Sequence, residues 1–176
     1  YIIKEYFANY LLHNSDVTIN LRDQSIDMHA NHSEPWKVTL IDTGENTLTA
    51  GRLKKLFPYL KDEKQFFFTY GDGLSDINLK KLYAFHKKHG KRATMTAIKP
   101  PGRYGAVSMM QCGKVNSFEE KPPGDGGYIN GGFFVLSNDI FSNIPEENIA
   151  WETKPLHDLV EIRELMAFRH EGFWCA

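Results

Sequence analysis

A chain of 176 residues, 41% of them hydrophobic and 24% charged, has the make-up of a soluble globular protein, and its length suits one domain around a single core. The formal net charge of −1 offers no global field for nucleic acid or a membrane surface, and no apolar run approaches the roughly 20 residues that span a bilayer. Two cysteines far apart in sequence, Cys112 and Cys175, are too few for a disulfide framework and read as reduced thiols of a reducing, cytoplasmic compartment.

The chain begins inside a helical pattern. Ile2, Ile3, Tyr6, Phe7, Tyr10 and Leu11 recur at helical spacing in "YIIKEYFANYLLH". A helix that opens without a cap, and an equally abrupt end at "EGFWCA", lead us to expect an interior piece of a longer protein. "DVTINL" and "SIDMHA" alternate apolar and polar residues and predict two short strands. "WKVTLID" predicts a further strand and "DTGEN" a loop. "TAGRLKKLFPYL" predicts a helix with Thr49 as its N-cap, disturbed at Pro58. "KQFFFTY" shows almost no alternation and predicts a strand buried on both faces. "DINLKKLYAFHKKHG" predicts an amphipathic helix with Gly90 as its C-cap, and "RATMTAIK" the next strand.

This alternation of strand and helix implies an α/β fold on a mostly parallel, mixed sheet. The second half changes character. "AVSMMQ", "KVNSFEE" and "YINGGFFVL" predict strands between Gly- and Pro-rich loops, "WETKPLHDLVEI" a helix and "LMAFRH" a last strand. The seven histidines show no metal-ligand spacing, and His86 and His89 are expected on the exposed face of their helix.

The stretch "TYGDGLSD" carries the first candidate site. In open α/β sheets ligands bind at the carboxyl ends of strands. Gly71 there lets a ligand approach the backbone, and Asp72 can hold a hard cation such as Mg²⁺, which in turn holds phosphate oxygens. A plain tight turn is the bland alternative. A sharper competitor is the late acidic motif of haloacid-dehalogenase-type phosphatases. Its nucleophile motif Asp-x-Asp is unmatched here, because Gly44 stands where the second Asp belongs after Asp42. Only about 30 residues separate Asp42 from Asp72, and roughly 100 follow.

Three further stretches, in order, complete a pattern: "DTGENTLTAGRLKKL", "SFEEKPPGDGGYINGGFFVL" and "WETKPLHDL". Together with "IKEYFANY", "EPWKVTLIDTG", "PPGRYGAV" and "RELMAF", the whole chain resembles the sugar-1-phosphate nucleotidyltransferases, and within them the glucose-1-phosphate cytidylyltransferase branch. The resemblance implies a Rossmann-like core, with residues 1–100 forming the rest of the nucleotide-binding part and residues 101–176 the sugar-phosphate-binding part. It implies Mg²⁺, CTP and a sugar 1-phosphate as reactants, CDP-glucose and pyrophosphate as products, and a homo-oligomer making CDP-linked sugars for surface polysaccharides.

The resemblance also implies residue roles. Asp72 becomes the Mg²⁺ ligand shared by both substrates, and Lys121 the cation on the sugar phosphate. Thr47, Thr49, Gly51, Arg52 and Gly71 become nucleotide contacts. Glu120, Asn130, Gly131, Glu152, Arg103 and Tyr104 become sugar contacts. Bland alternatives stand beside several of these: a solvated Lys121, a capping Thr49, a solvated Arg52, a Glu152 that merely opens a helix. Two family features have no match in residues 1–176: the glycine-rich loop of form G-G-x-G-T-R-L, and the second metal-binding Asp expected just after Trp174. The chain by itself is therefore expected to be inactive or nearly so, and a non-catalytic nucleotide-sugar binding relative is the remaining alternative.

Overall fold

The computed structural model describes residues 2–100, 106–119, 127–145 and 148–176. The chain divides into two compact units, Tyr1–Asp42 and Thr43–Ala176.

In the first unit the expected single helix is two short ones, α1 (Ile2–Ala8) and α2 (Tyr10–His13). They are separated at Asn9, whose side-chain amide donates to the Glu5 carbonyl at 2.9 Å. Such local side-chain bonding competes with the helical ladder. β1 (Ser15–Asn20) and β2 (Ser25–Asn31) pair antiparallel, with Val17 opposite Met28 and Ile19 opposite Ile26. Tyr10 lies 5.9 Å from Phe7 and 6.0 Å from Trp36, ring to ring. Its hydroxyl donates to the Glu34 carboxylate, which pushes the phenol up to about 12 and holds Glu34 below the usual carboxylate range. The strand expected at "WKVTLID" is absent. Residues 36–42 have no ladder partner among the described residues, and apolar composition alone does not make a strand.

The second unit opens with α3 (Thr49–Lys55) and α4 (Phe57–Leu60). Pro58 interrupts the helical run as expected, sitting in the first turn of α4 where its missing N–H costs nothing. Thr49 is not the N-cap: that position belongs to Leu48, and the Thr49 hydroxyl is engaged elsewhere. β3 (Gln65–Thr69) and β4 (Leu74–Ser75) follow. α5 (Leu79–His89) is capped by Asn78, whose side-chain oxygen accepts from the Lys81 N–H at 2.9 Å, and closes on a left-handed Gly90 as expected. Then come β5 (Ala93–Ile98), β6 (Ala106–Met109), β7 (Val115–Glu119) and β8 (Ile129–Ser137). A 3₁₀ helix (Asn138–Asn143), α6 (Lys154–Glu161), β9 (Leu165–His170) and β10 (Trp174–Cys175) complete the unit. α6 begins later than "WETKPLHDLVEI" suggests, so Trp151 and Glu152 lie in the turn ahead of it.

The main sheet has the order β3-β8-β5-β9. β5 and β9 pair in parallel, while β8 runs antiparallel between β3 and β5. Three strands thus point one way and one opposes them, which is the mixed sheet expected. β6 and β7 form a separate antiparallel ribbon. The expected burial of both faces of "KQFFFTY" is corrected: Phe67 is 49% exposed, because it points to the face of the sheet opposite the core, toward Tyr83, 6.0 Å between rings. Phe66 and Phe68 pack on the other face against Phe141 and Phe134. Behind the sheet lie fully buried Trp151, Phe134, Leu136, Ile140 and Leu159, joined by Ala50 and Leu53 of α3.

The expected exposed position of His86 is also corrected. His86 is fully buried and His89 partly buried. Both rings lie within hydrogen-bond distance of the buried Thr94 hydroxyl of β5, His86 Nδ1 at 2.8 Å and His89 Nε2 at 2.7 Å. A buried polar ring is tolerated because this partner satisfies it. Burial, with the neighbouring His89, pushes His86 down to about 4. Above about pH 6.5 the residue is neutral folded or unfolded. As pH falls through that value the unfolded chain takes up a proton that the folded chain refuses until about pH 4. Unfolding stability should therefore drop by up to about 3 kcal/mol across this window, and no further from this residue below it. Urea unfolding at several pH values checks this, and His86→Gln should show a smaller drop.

Candidate active site

β3 carries the chain out of the sheet at Thr69 and delivers Tyr70, Gly71 and Asp72 in succession. These three, with Thr49 and Arg52 of α3 and Glu152 ahead of α6, line one cleft of about 600 Å³. Five residues expected at the site from sequence, Thr49, Arg52, Gly71, Asp72 and Glu152, are thus brought together from three distant segments. The floor is aromatic, because Phe68 and Tyr70 pack edge-on, 5.7 Å apart. A Cβ added at Gly71 would meet nothing within 4 Å, so a ligand has room to lie against the backbone beside the exposed Asp72 carboxylate.

A hydrogen-bonded chain ties the walls of the cleft. The Trp151 N–H donates to Thr49 Oγ1 at 2.7 Å, and that hydroxyl donates to Glu152 Oε2 at 3.2 Å. The Tyr70 hydroxyl donates to Glu152 Oε1 and accepts from Asn130 Nδ2 at 3.3 Å. Asn130 Oδ1 in turn accepts from the Gly132 N–H at 2.9 Å. Burial raises the Tyr70 phenol well above its ordinary value, and the bond to Glu152 adds to the effect.

Other expected residues fall elsewhere. Thr47 and Gly51 line a separate hollow with Lys54, Lys55 and Asn148. Asn148 crosslinks that loop: its Oδ1 accepts from the Leu48 N–H at 2.7 Å and its Nδ2 donates to the Asn46 carbonyl at 2.8 Å. Arg52 lines the cleft, yet its guanidinium also donates to Thr43 Oγ1 at 2.6 Å and the Glu45 carbonyl at 3.0 Å, which orders the 43–47 loop. The Gly131 carbonyl accepts from Trp174 Nε1 at 2.8 Å. Arg103, Tyr104, Glu120 and Lys121 lie outside the described residues.

The sequence reading missed Tyr70 and the segment that braces the Gly-Asp-Gly loop. β4 pairs with β10, Ser75 opposite Trp174. His170 Nε2 lies 3.0 Å from Asp76 Oδ1 and 3.1 Å from Ser75 Oγ, and the Asp76 N–H donates to the Phe173 carbonyl at 3.2 Å. The signal for Tyr70 was available: an amphipathic ring directly before a candidate metal loop buries its body and needs a partner for its hydroxyl.

Comparison with known proteins decides the family. The sequence pattern described as nucleotidyl transferase matches residues 7–173. The chain belongs to this family. It is 53% identical over 174 residues to a glucose-1-phosphate cytidylyltransferase of Salmonella typhi, and 52% identical over the same length to that of Salmonella typhimurium, in each case across 99% of this chain and 67% of the relative. The crystal structure of HddC from Yersinia pseudotuberculosis shares the fold, with a TM-score of 0.52 and 23% identity across 74% of this chain and 56% of that one. The chain thus spans about two thirds of the length of the Salmonella relatives. The haloacid-dehalogenase-type alternative finds no support in this match.

In this nucleotidyl transferase no group of three His, Cys, Asp or Glu side chains converges on a metal position among the described residues. Asp72 offers one exposed carboxylate beside an open glycine. That donor set fits Mg²⁺, which is commonly held by one or two carboxylates with substrate phosphates and water completing its shell, rather than by an all-protein cage. Cys112 and Cys175 are both free thiols, and no helix among the described residues is long and apolar enough to cross a membrane.

Proposed function

We propose that this nucleotidyl transferase joins glucose 1-phosphate to CTP, giving CDP-glucose and pyrophosphate. A phosphate oxygen of the sugar phosphate forms the new bond to the α-phosphorus of CTP, and the bond from that phosphorus to pyrophosphate breaks. Little covalent chemistry falls to the protein, so catalysis is positioning and charge neutralisation. Asp72 would hold Mg²⁺, which when bound neutralises phosphate charge. Thr49, Arg52 and Gly71 would take the nucleotide on one side of the cleft, with Thr47 and Gly51 ordering the loop behind them. Glu152 and Asn130 would take sugar hydroxyls, with Gly131, Glu120, Arg103 and Tyr104 around them and Lys121 on the sugar phosphate. We extend the reading to a cytoplasmic homo-oligomer.

One observation carries this reading. The strand-end pair Gly71–Asp72 shares its cleft with Thr49, Arg52 and Glu152, in a chain 53% identical to a glucose-1-phosphate cytidylyltransferase. The transfer is reversible, so the test is pyrophosphorolysis. The full-length gene product, given CDP-glucose, pyrophosphate and Mg²⁺, should form CTP and glucose 1-phosphate. Tight binding of CDP-glucose with no exchange in either direction would overturn the reading in favour of a non-catalytic binding protein.

A further inference from the structure

We infer that Tyr70 is a positioning residue for the sugar, acting through Glu152 and Asn130, both of which its hydroxyl bonds. The inference rests on the proposed function, in which those two side chains take sugar hydroxyls.

Glu152 lies in the turn ahead of α6 and Asn130 near the start of β8, and Tyr70 reaches both from the end of β3. Both carboxylate oxygens of Glu152 are held from the protein side, Oε1 by the Tyr70 hydroxyl and Oε2 by Thr49 Oγ1 at 3.2 Å. Each oxygen keeps a lone pair for a ligand hydroxyl, so the carboxylate is oriented without being used up. Asn130 is likewise fixed at both ends, by the Gly132 N–H at 2.9 Å and by the Tyr70 hydroxyl at 3.3 Å.

The ring itself cannot drift. Gly132 has φ of +76°, and a Cβ there would lie 2.8 Å from Tyr70 Cδ2. The phenol packs into the space that only glycine leaves open, and its neighbours Phe68 and Phe134 stand 5.7 and 5.9 Å away. A hydroxyl fixed by a packed ring and bonded to two polar groups on different segments holds those groups in one mutual geometry. Positioning by such a supporting shell decides whether a site is tight enough to discriminate ligands.

Tyr70→Phe keeps the ring and its packing and deletes the hydroxyl. In the full-length gene product KM for glucose 1-phosphate should rise by roughly 3- to 10-fold, part of the cost of a hydrogen bond to a charged group, because the lost bond orients Glu152 and does not touch the sugar. KM for CTP should stay within about 2-fold, and the preference for glucose 1-phosphate over galactose 1-phosphate should narrow. A second variant tests the route. In a Glu152→Ala background Tyr70→Phe should add clearly less than it costs alone, because the hydroxyl then has only Asn130 left to hold. Fully additive losses, or a fall in kcat with the sugar KM unmoved, would overturn the inference. If the wild-type protein turns over CTP and glucose 1-phosphate while Tyr70→Phe matches it in every constant, the inference falls and the proposed function stands. If the wild-type protein yields no product in either direction, the proposed function falls and the inference falls with it.

Discussion

Replacing Asp72 by alanine is expected to lower the kcat of pyrophosphate release by on the order of 10³-fold or more. A divalent cation at the reacting phosphates supplies several kcal/mol of charge stabilisation, and each 1.36 kcal/mol is tenfold in rate. Asp72 is the carboxylate that the strand end presents to the cleft, with open space beside it at Gly71. Asp72→Asn should fail almost as badly, because it keeps the shape and loses the charge. Neither variant should shift thermal unfolding noticeably, since Asp72 is exposed and lies outside the buried core. Steady-state kinetics across a Mg²⁺ titration check this. Activity within tenfold of wild type at low Mg²⁺ would remove Asp72 from the metal site.

The largest effect on stability should come from Trp151→Ala, at about 3–5 kcal/mol. Trp151 is fully buried, with Phe68 at 6.0 Å and Phe134 at 6.1 Å in edge-on contact. Its indole Nε1 has no hydrogen-bond partner among the described residues, so its contribution is packing, and Trp151→Phe should cost much less. The loss reaches the site as well. The Trp151 N–H holds Thr49 Oγ1, and Thr49 holds Glu152, so a cavity under this turn loosens one wall of the cleft. Urea unfolding measures the first effect and the sugar KM the second. A loss below about 1 kcal/mol would mean that the core collapses around the gap.

Strong local signals were legible in the sequence. α5 declared itself by its apolar stripe and Gly90, and β5, β8 and β9 by short apolar runs between turn residues. The position of Asp72 at a strand end was legible from the apolar run before Gly71, and the structure puts it in a cleft with Thr49, Arg52 and Glu152. Long-range matters were hidden. Nothing local in "YINGGFFVL" says that β8 inserts antiparallel between β3 and β5, and nothing local in "KQFFFTY" says that Phe67 points away from the core. His86 looks like a solvent residue in a run of lysines, and only the fold brings Thr94 beneath it. Thr49 looks like a helix cap by residue type, whereas its hydroxyl is taken by Trp151 and Glu152, about a hundred positions away. The local signal at Tyr70 marks a ring that needs a polar partner, but not which one: Asn130 and Glu152 come from the far half of the chain.

The most direct test of the account is a forward assay of the full-length gene product with glucose 1-phosphate and Mg²⁺, offering CTP, UTP, dTTP and GTP in turn and measuring pyrophosphate release. The account predicts release with CTP at the highest kcat/KM, with CDP-glucose as the product and loss of the signal in Asp72→Ala. Preference for another nucleotide would contradict the choice of base and leave the reaction class standing. No release with any of the four would contradict the account itself.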